Sequence, residues 1–276
     1  MYLQVKGKLL SLETPVIMGI VNYTDDSFFD GGKYNHLDTL LQKIENLLIE
    51  GADIVDIGAV STRPGATDIS EKEEEQKIKE AVRAVLNHFP KTIISVDTWR
   101  ASVAEMAIEE GASMINDISG ATFDPEIIPV VGKLKVPYCL MHTTAKPEIM
   151  HLHTQYNNLI ADMLYFFGER LQLLKEAGVN DIIIDPGFGF GKTVEQNFHL
   201  LNNLEAFATF QLPLLVGISR KSMIYKTLNV SSKEALNGTT VLHTQAIMKG
   251  VHILRVHDVK EAKETITLCR NLEHKI

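Results

Sequence analysis

The sequence predicts an α/β chain folded as a (β/α)8 TIM barrel, a single domain covering residues 1–276. Short apolar, β-branched runs alternate along its whole length with amphipathic segments of helical period. One phrase recurs where they join, as IEGADIVDIG, EEGASMINDI, KEAGVNDIIIDPG and MKGVHILRVH. In each, an amphipathic segment stops at glycine and an apolar run begins at once. Glycine just past a helix end accepts the left-handed conformation that closes it, and a short continuous apolar run suits a strand buried on both faces of a parallel sheet. No proline- or serine-rich linker interrupts the series.

Taken in order, the strand candidates are PVIMGIV, DIVDIG, TIISV, SMIND, VPYCLM, DIIID, PLLVG and HILRV. The segment after the first, LDTLLQKIENLLIE, sets Leu37, Leu40, Leu41, Ile44, Leu47 and Leu48 on one helical face, and Gly51 closes it. Helical patterns separate nearly all the other runs, which favours the barrel over a doubly wound open sheet. Composition agrees with one large core, at 45% hydrophobic and 22% charged residues. No apolar run approaches a membrane span, and the first residues lack the pattern of a secretion signal, so a cytoplasmic protein is expected. Cys139 and Cys269 form no disulfide framework or metal spacing and are read as packing residues. A net charge of −8 disfavours nucleic acid as a partner, while local arginines still permit a small anionic substrate.

The stretch DIIIDPGFGFGKT, Asp181 to Thr193, has the look of a nucleotide phosphate loop but does not qualify. Where that pattern requires its first glycine stands Pro186, which has no N–H to offer a phosphate. What remains is Asp185 at a strand exit, followed by glycines read as letting something flat approach the backbone.

In a barrel of this kind chemistry lies at the C-terminal ends of the strands. The residues at or just past the exits are Asn22, Thr62 and Arg63, Asp97, Asn116, His142, Asp185, Lys221, and Arg255 with His257. Each alone is more often a turn or cap residue; together they point to one polar rim. Asp97, Asn116, Asp185 and Lys221 suit a flat heterocycle carrying donors and acceptors. Thr62, Arg63, Arg255 and His257 suit phosphate oxygens, and Asn22 offers an oxygen to a Mg²⁺ that keeps most of its shell from water and phosphate. The inferred ligand is a heterocycle bearing a diphosphate. His142, His151 and His153 fall in one loop without an ordered carboxylate and are not read as a metal site.

The segments MGIVNYTDDSFFDGG, STRPGA, SVDTWR, INDISG, DPGFGFGKT and GISRKSM, with RVHDV near the end, resemble the dihydropteroate synthase family in the expected order. The resemblance implies a TIM barrel condensing 6-hydroxymethyl-7,8-dihydropterin diphosphate with p-aminobenzoate to 7,8-dihydropteroate and pyrophosphate. It further implies that Asp97, Asn116, Asp185 and Lys221 hold the pterin, in a slot bordered by Ile118, Met141, Phe190 and Gly217. Thr62, Arg63, Arg255 and His257 would take the diphosphate, Asn22 the Mg²⁺, and Phe28, Pro64 and Ser222 would sit near p-aminobenzoate. A homodimer built from barrel helices and competition by sulfonamides follow from the same likeness.

Tyr23 and Asp25 stand where the family usually has valine and proline, which leaves that loop less rigid, and Val60 replaces a glutamate. The expected mechanism is dissociative, with a cation-like transition state stabilised by charge and positioning. The spans from Tyr23 to His36 and Val60 to Ser70 are candidate lids, and Asp30 would pair with Arg63 across the closed site, so that Asp30, Arg63 and Lys221 form the expected catalytic group. Two other readings stay open at this point: a pterin-dependent methyltransferase, which needs no phosphate ligands, and a non-catalytic pterin-diphosphate binding protein.

Overall fold

The computed structural model describes residues 1–24, 33–60 and 69–273. All eight expected strands are present, as β3 (Val16–Asn22), β4 (Ile54–Gly58), β5 (Ile94–Asp97), β6 (Met114–Asp117), β7 (Tyr138–Met141), β8 (Ile182–Asp185), β9 (Leu215–Val216) and β10 (Ile253–Val256). They lie in one parallel sheet in the order β8-β7-β6-β5-β4-β3-β10-β9. The sheet closes on itself where Ile184 bridges Leu214, its amide donating to the Pro213 carbonyl at 2.9 Å. Closure removes the sheet edge and makes the barrel.

Helices α1 (Lys33–Glu50), α2 (Glu71–His88), α3 (Ala101–Glu109), α4 (Ile127–Leu134), α5 (Leu159–Glu176), α6 (Val194–Asn202), α7 (Ser222–Leu228), α8 (Leu236–Met248) and α9 (Val259–Glu273) surround it. The repeated glycine joints behave as their sequence suggests: Gly51, Gly111, Gly178 and Gly250 all have positive φ, from 80° to 102°. Helix α1 starts at Lys33, so the candidate first lid, taken as 23–36, includes helical residues.

Side-chain alternation explains the layers. One set of strand residues, among them Ile17, Val55, Ile115, Ile184 and Leu254, packs outward under the helices. The other set points into the barrel, and its lower tier is apolar: Met18, Ile54, Met114, Cys139, Ile183, Leu215 and Ile253. A hairpin absent from the expectation, β1 (Tyr2–Val5) and β2 (Lys8–Ser11), covers that end with Leu3 and Val5. Its turn at Lys6 and Gly7 has positive φ at both residues, a geometry usually signalled by Asn-Gly, so Lys-Gly left no clear mark in the sequence. Among the described residues no helix is long and apolar enough to cross a membrane.

Candidate active site

Two residues further along most strands the inward positions change character, while β3 and β7 stay apolar with Ile20 and Met141. Ile54 is followed by Asp56, Met114 by Asn116, Ile183 by Asp185, Leu215 by Gly217 and Ile253 by Arg255, while Ser95 leads to Asp97. An apolar floor closed by the hairpin therefore carries a polar tier at the strand exits. The tier is cross-linked. Arg255 donates from Nε to Asp56 Oδ2 and from Nη2 to Asp97 Oδ2, each at 2.7 Å, and Asn116 Nδ2 donates to the same Asp56 oxygen at 3.0 Å.

Asp56 is wholly buried and was not among the expected site residues. The signal was available, since a carboxylate inside the apolar run DIVDIG has no reason to be there without a partner. The chemical sorting put Arg255 with phosphate ligands and Asp97 and Asn116 with the ring. The structure joins Arg255 and Asn116 through Asp56, and Asp97 to them through Arg255.

Electrostatics follow from burial. Desolvation pushes the Asp97 carboxyl up to about 7, with the nearby Arg255 acting against it and Asp56 adding to the rise. Burial works against the Arg255 charge, yet Asp56 and Asp97 more than offset this and hold the guanidinium above its ordinary value. Asp185 is raised by burial, opposed first by Lys221. Burial lowers Lys221 to about 8, with Asp185 and, more weakly, Asp97 pulling it back up. Asp97, in register with Asn116, and Asp185, in register with Met141, end β5 and β8 on the same rim of the closed sheet, and Arg255 reaches Asp97 from β10, so the two acids share one mouth.

Local structure aims Lys221 inward. Arg220 takes a left-handed φ of 54° and sends its guanidinium outward to Asp258, in a forked pair at 2.8 and 2.7 Å. The next residue, Lys221, turns into the barrel as the cap of α7, with Ser222 the first helical residue. The Lys221 ammonium donates to the Phe188 carbonyl and lies 4.6 Å from the Phe190 ring centroid. Phe190, Ile118 and Met141 pack with Trp99 and Met150 into an apolar cluster at the mouth, and Val60 joins it. A side chain at Gly217 would project between Lys221 and Arg255, with Lys221 Nζ 3.8 Å from its Cβ, so glycine keeps that space open.

Asn22 ends β3, half-buried and in register with Gly58. His257 lies beyond β10 with Nδ1 3.0 Å from Ser219 Oγ, and desolvation followed by the Arg255 charge lowers its proton affinity. His142 belongs elsewhere: although it follows a strand exit, its ring is buried, 4.9 Å from the Phe166 centroid. Tyr23 is likewise a core residue, buried in the helix-facing layer. Phe28, Asp30, Thr62, Arg63 and Pro64 lie outside the described residues, as does Asp25.

Two glycines of the 187–191 loop, Gly187 and Gly191, face the protein itself, while Gly189 faces the Lys221 stem. Gly187 and Gly191 have φ of 69° and 57°, and a Cβ on either would strike the protein itself, at 2.1 Å from the His142 carbonyl oxygen and 2.0 Å from Thr144 Oγ1. They let the loop lie against the segment after β7 rather than admit a ligand.

Comparison with known proteins agrees with this arrangement. The model of the pterin binding enzyme family matches residues 18–257. The dihydropteroate synthase of Clostridium beijerinckii is 44% identical over 252 residues, covering 90% of this chain and 91% of its own. The Yersinia pestis dihydropteroate synthase, solved with a sulfonamide drug complex, superposes with a TM-score of 0.92 at 40% identity, covering 99% of both chains. The Xanthomonas albilineans enzyme, solved with 4-aminobenzoic acid, gives 0.93 at 33% identity over 100% of this chain and 99% of that one. A buried pair of acids, a cationic tier and an apolar slot at the mouth of a (β/α)8 barrel thus coincide with extensive likeness, and the chain belongs to the dihydropteroate synthases of the pterin-binding enzyme family.

Proposed function

We propose that the protein condenses 6-hydroxymethyl-7,8-dihydropterin diphosphate with p-aminobenzoate to give 7,8-dihydropteroate and pyrophosphate. The observation that carries this reading is the placing of Asp97 and Asp185 on one barrel rim, with Arg255 bonded to Asp97 and the Lys221 ammonium over the Phe190 ring. Two carboxylates, an amide and an ammonium match the amino-imidic edge, ring nitrogens and carbonyl of a pterin. Asp56 fixes the Asn116 amide by accepting a hydrogen bond from its Nδ2, which leaves Oδ1 to accept from the ring. Ile118, Met141 and Phe190 supply apolar contact, and Gly217 leaves room beside Lys221.

The diphosphate would lie toward His257 and Arg255, with Thr62 and Arg63, and p-aminobenzoate near Ser222, Phe28 and Pro64. The methylene carbon next to an electron-rich ring favours bond breaking before attack, so catalysis rests on binding the departing anion and positioning the amine. Asp30 and Arg63 would pair over the site. An aryl amine is neutral near pH 7 and attacks without a strong base; its proton is then lost to water.

The donor set fits Mg²⁺ held largely by substrate and water, since Asn22 at the end of β3 offers one amide oxygen of the hard kind that ion takes. When bound, the ion would neutralise charge on the leaving diphosphate. Exposed Val241 and Leu268 on neighbouring α8 and α9 support a homodimer through barrel helices, and two buried free cysteines accord with the cytoplasm.

The test is pyrophosphate release from pterin diphosphate and Mg²⁺, with and without p-aminobenzoate. Amine-dependent release, inhibited by a sulfonamide in competition with p-aminobenzoate, is the expected result. Tight pterin binding without release would instead identify a binding protein, and no binding would reject the reading.

A further inference from the structure

Lys192 is the lysine of the GFGFGKT stretch, and it faces neither phosphate nor solvent. It is buried, and its three ammonium protons have three acceptors: the Gly187 and Phe190 carbonyl oxygens, both at 3.0 Å, and His142 Nδ1 at 3.1 Å. Burial and the adjacent lysine charge keep the His142 imidazole neutral, so Nδ1 accepts in the Nε2-protonated tautomer. His142 is itself tied to the exit of β8, its amide donating to the Asp185 carbonyl at 2.9 Å.

The loop that Lys192 crosses carries much of the ring-binding wall. Gly187 N donates to Asp185 Oδ1 at 2.7 Å and so holds the carboxylate's direction. The Phe188 carbonyl accepts from Lys221, and the Phe190 ring lies under that same ammonium. One buried amine, lowered by burial to about 7 with Asp185 favouring its charged form, therefore grips both ends of a loop with Asp185 at its start, the Lys221 acceptor in its middle and an aromatic wall at its end. Burying the methylene stem is favourable, but desolvating the charge it carries is costly, and that cost is unexplained if the loop only needs to be covered.

We propose that Lys192 is a positioning residue for pterin recognition, which fixes the 187–190 loop so that Asp185, Phe190 and Lys221 converge on the ring. This rests on the proposed function. It differs from the phosphate-loop lysine that the motif superficially suggests, because the ammonium contacts only the protein.

The test compares wild type with Lys192→Met, which keeps the stem and removes the three hydrogen bonds, and with Lys192→Gln, which retains part of them. Tyr138→Phe serves as a control that loses a buried bond to Asp117 on the outward side of the sheet. The chain's one tryptophan, Trp99, sits in the apolar cluster with Phe190, so quenching of its fluorescence by 6-hydroxymethylpterin reads ring binding without turnover. Expected for Lys192→Met is a rise of about tenfold or more in pterin Kd and pterin KM, an unchanged KM for p-aminobenzoate and an intermediate effect for Lys192→Gln. Tyr138→Phe should lower Tm without moving pterin Kd. Lys192 variants that fold and bind pterin as wild type does, or a rise in both KM values alike, would overturn the proposal, as would failure of both variants to fold, which would make Lys192 a residue of stability alone. If wild type binds no pterin, the functional reading fails first and independently.

Discussion

Arg255 and Asp97 meet at 2.7 Å across the barrel mouth, from strands β10 and β5 that are separated in the sheet by β3 and β4. The contact joins residues 158 apart in sequence and places a fixed cation beside a carboxyl that burial has raised to about 7. The arginine lowers the cost of ionising Asp97 but does not abolish it, so the proton on Asp97 is linked to folding.

The sign of that linkage gives a first prediction. In an unfolded chain an aspartate titrates near about 4. Between about 4 and about 7 the folded protein keeps a proton on Asp97 that the unfolded chain has lost, so this group makes stability fall as pH rises through that window. Asp97→Asn has no such titration. Urea unfolding at a series of pH values should show the variant gaining on wild type as pH rises, with the gap levelling above about 7. A constant gap would contradict the raised Asp97 value.

Catalysis should titrate in the same place. A carboxylate that accepts from two ring N–H groups must be ionised, so kcat/KM for the pterin substrate should climb as pH passes about 7. Lys221 is lowered to about 8 by burial, despite Asp185, and its charge is lost above that value, which predicts a falling alkaline limb. Lys221→Arg stays charged and should remove that limb while keeping the acid one. Initial rates across pH with saturating p-aminobenzoate decide the matter; an alkaline limb that persists in Lys221→Arg belongs to another group.

Asp56 is expected to matter more for stability than any other member of the tier. Its Oδ2 accepts from Asn116 and Arg255, so Asp56→Ala leaves a buried amide hydrogen unpaired and takes one of two carboxylates from a buried guanidinium. Breaking a buried ion pair on one side costs about 3–5 kcal/mol, which for a domain of this size is a Tm loss on the order of 10 °C. The neighbouring Ser95 is buried with no hydrogen-bond partner for its hydroxyl among the described residues, and Ser95→Ala should change Tm by only about 2 °C. Calorimetric scans of the two variants should therefore differ sharply; equal shifts would mean that Asp56 is no hub.

The strands and their order of appearance were legible because burial on both faces writes itself as apolar runs, and four helix ends were marked by glycine at 51, 111, 178 and 250. The identity of the rim was legible for the same reason, since Asp97, Asn116, Asp185 and Arg255 each interrupt or end such a run. Partnership was not. Nothing local distinguishes an arginine that will meet Asp56 and Asp97 from one that will meet phosphate, because the contact is made across closed strands distant in sequence. His142 misled because it occupies an exit position while its ring turns back under α5, toward Phe166 and Lys192. Gly187 and Gly191 could not be told from a ligand-facing glycine such as one beside Lys221, because a positive φ is equally required for approach of a ligand and approach of the chain itself.

Two chemically identical changes at the glycines of the 187–191 loop should differ in how stability and pterin binding are affected. At Gly187 the φ of 69° disfavours any side chain by about 1–2 kcal/mol, and the new Cβ would stand 2.1 Å from a backbone oxygen that is held in place by β7. Backbone cannot move aside as a side-chain tip can, so Gly187→Ala should displace the loop and lower Tm by about 10 °C, with pterin binding lost as well. At Gly189 the φ is 79°, but the nearest obstacle is the Lys221 Cδ at 3.1 Å, part of a flexible stem. Gly189→Ala should therefore fold with a Tm loss of only about 5 °C while shifting the Lys221 ammonium off Phe190 and raising pterin KM severalfold. Measuring Tm and pterin KM for both separates a loop held by the protein from a loop shaped for its ligand. Equal thermal losses would mean that the loop yields at Gly187 too, and that its fit against the segment after β7 does not set its position.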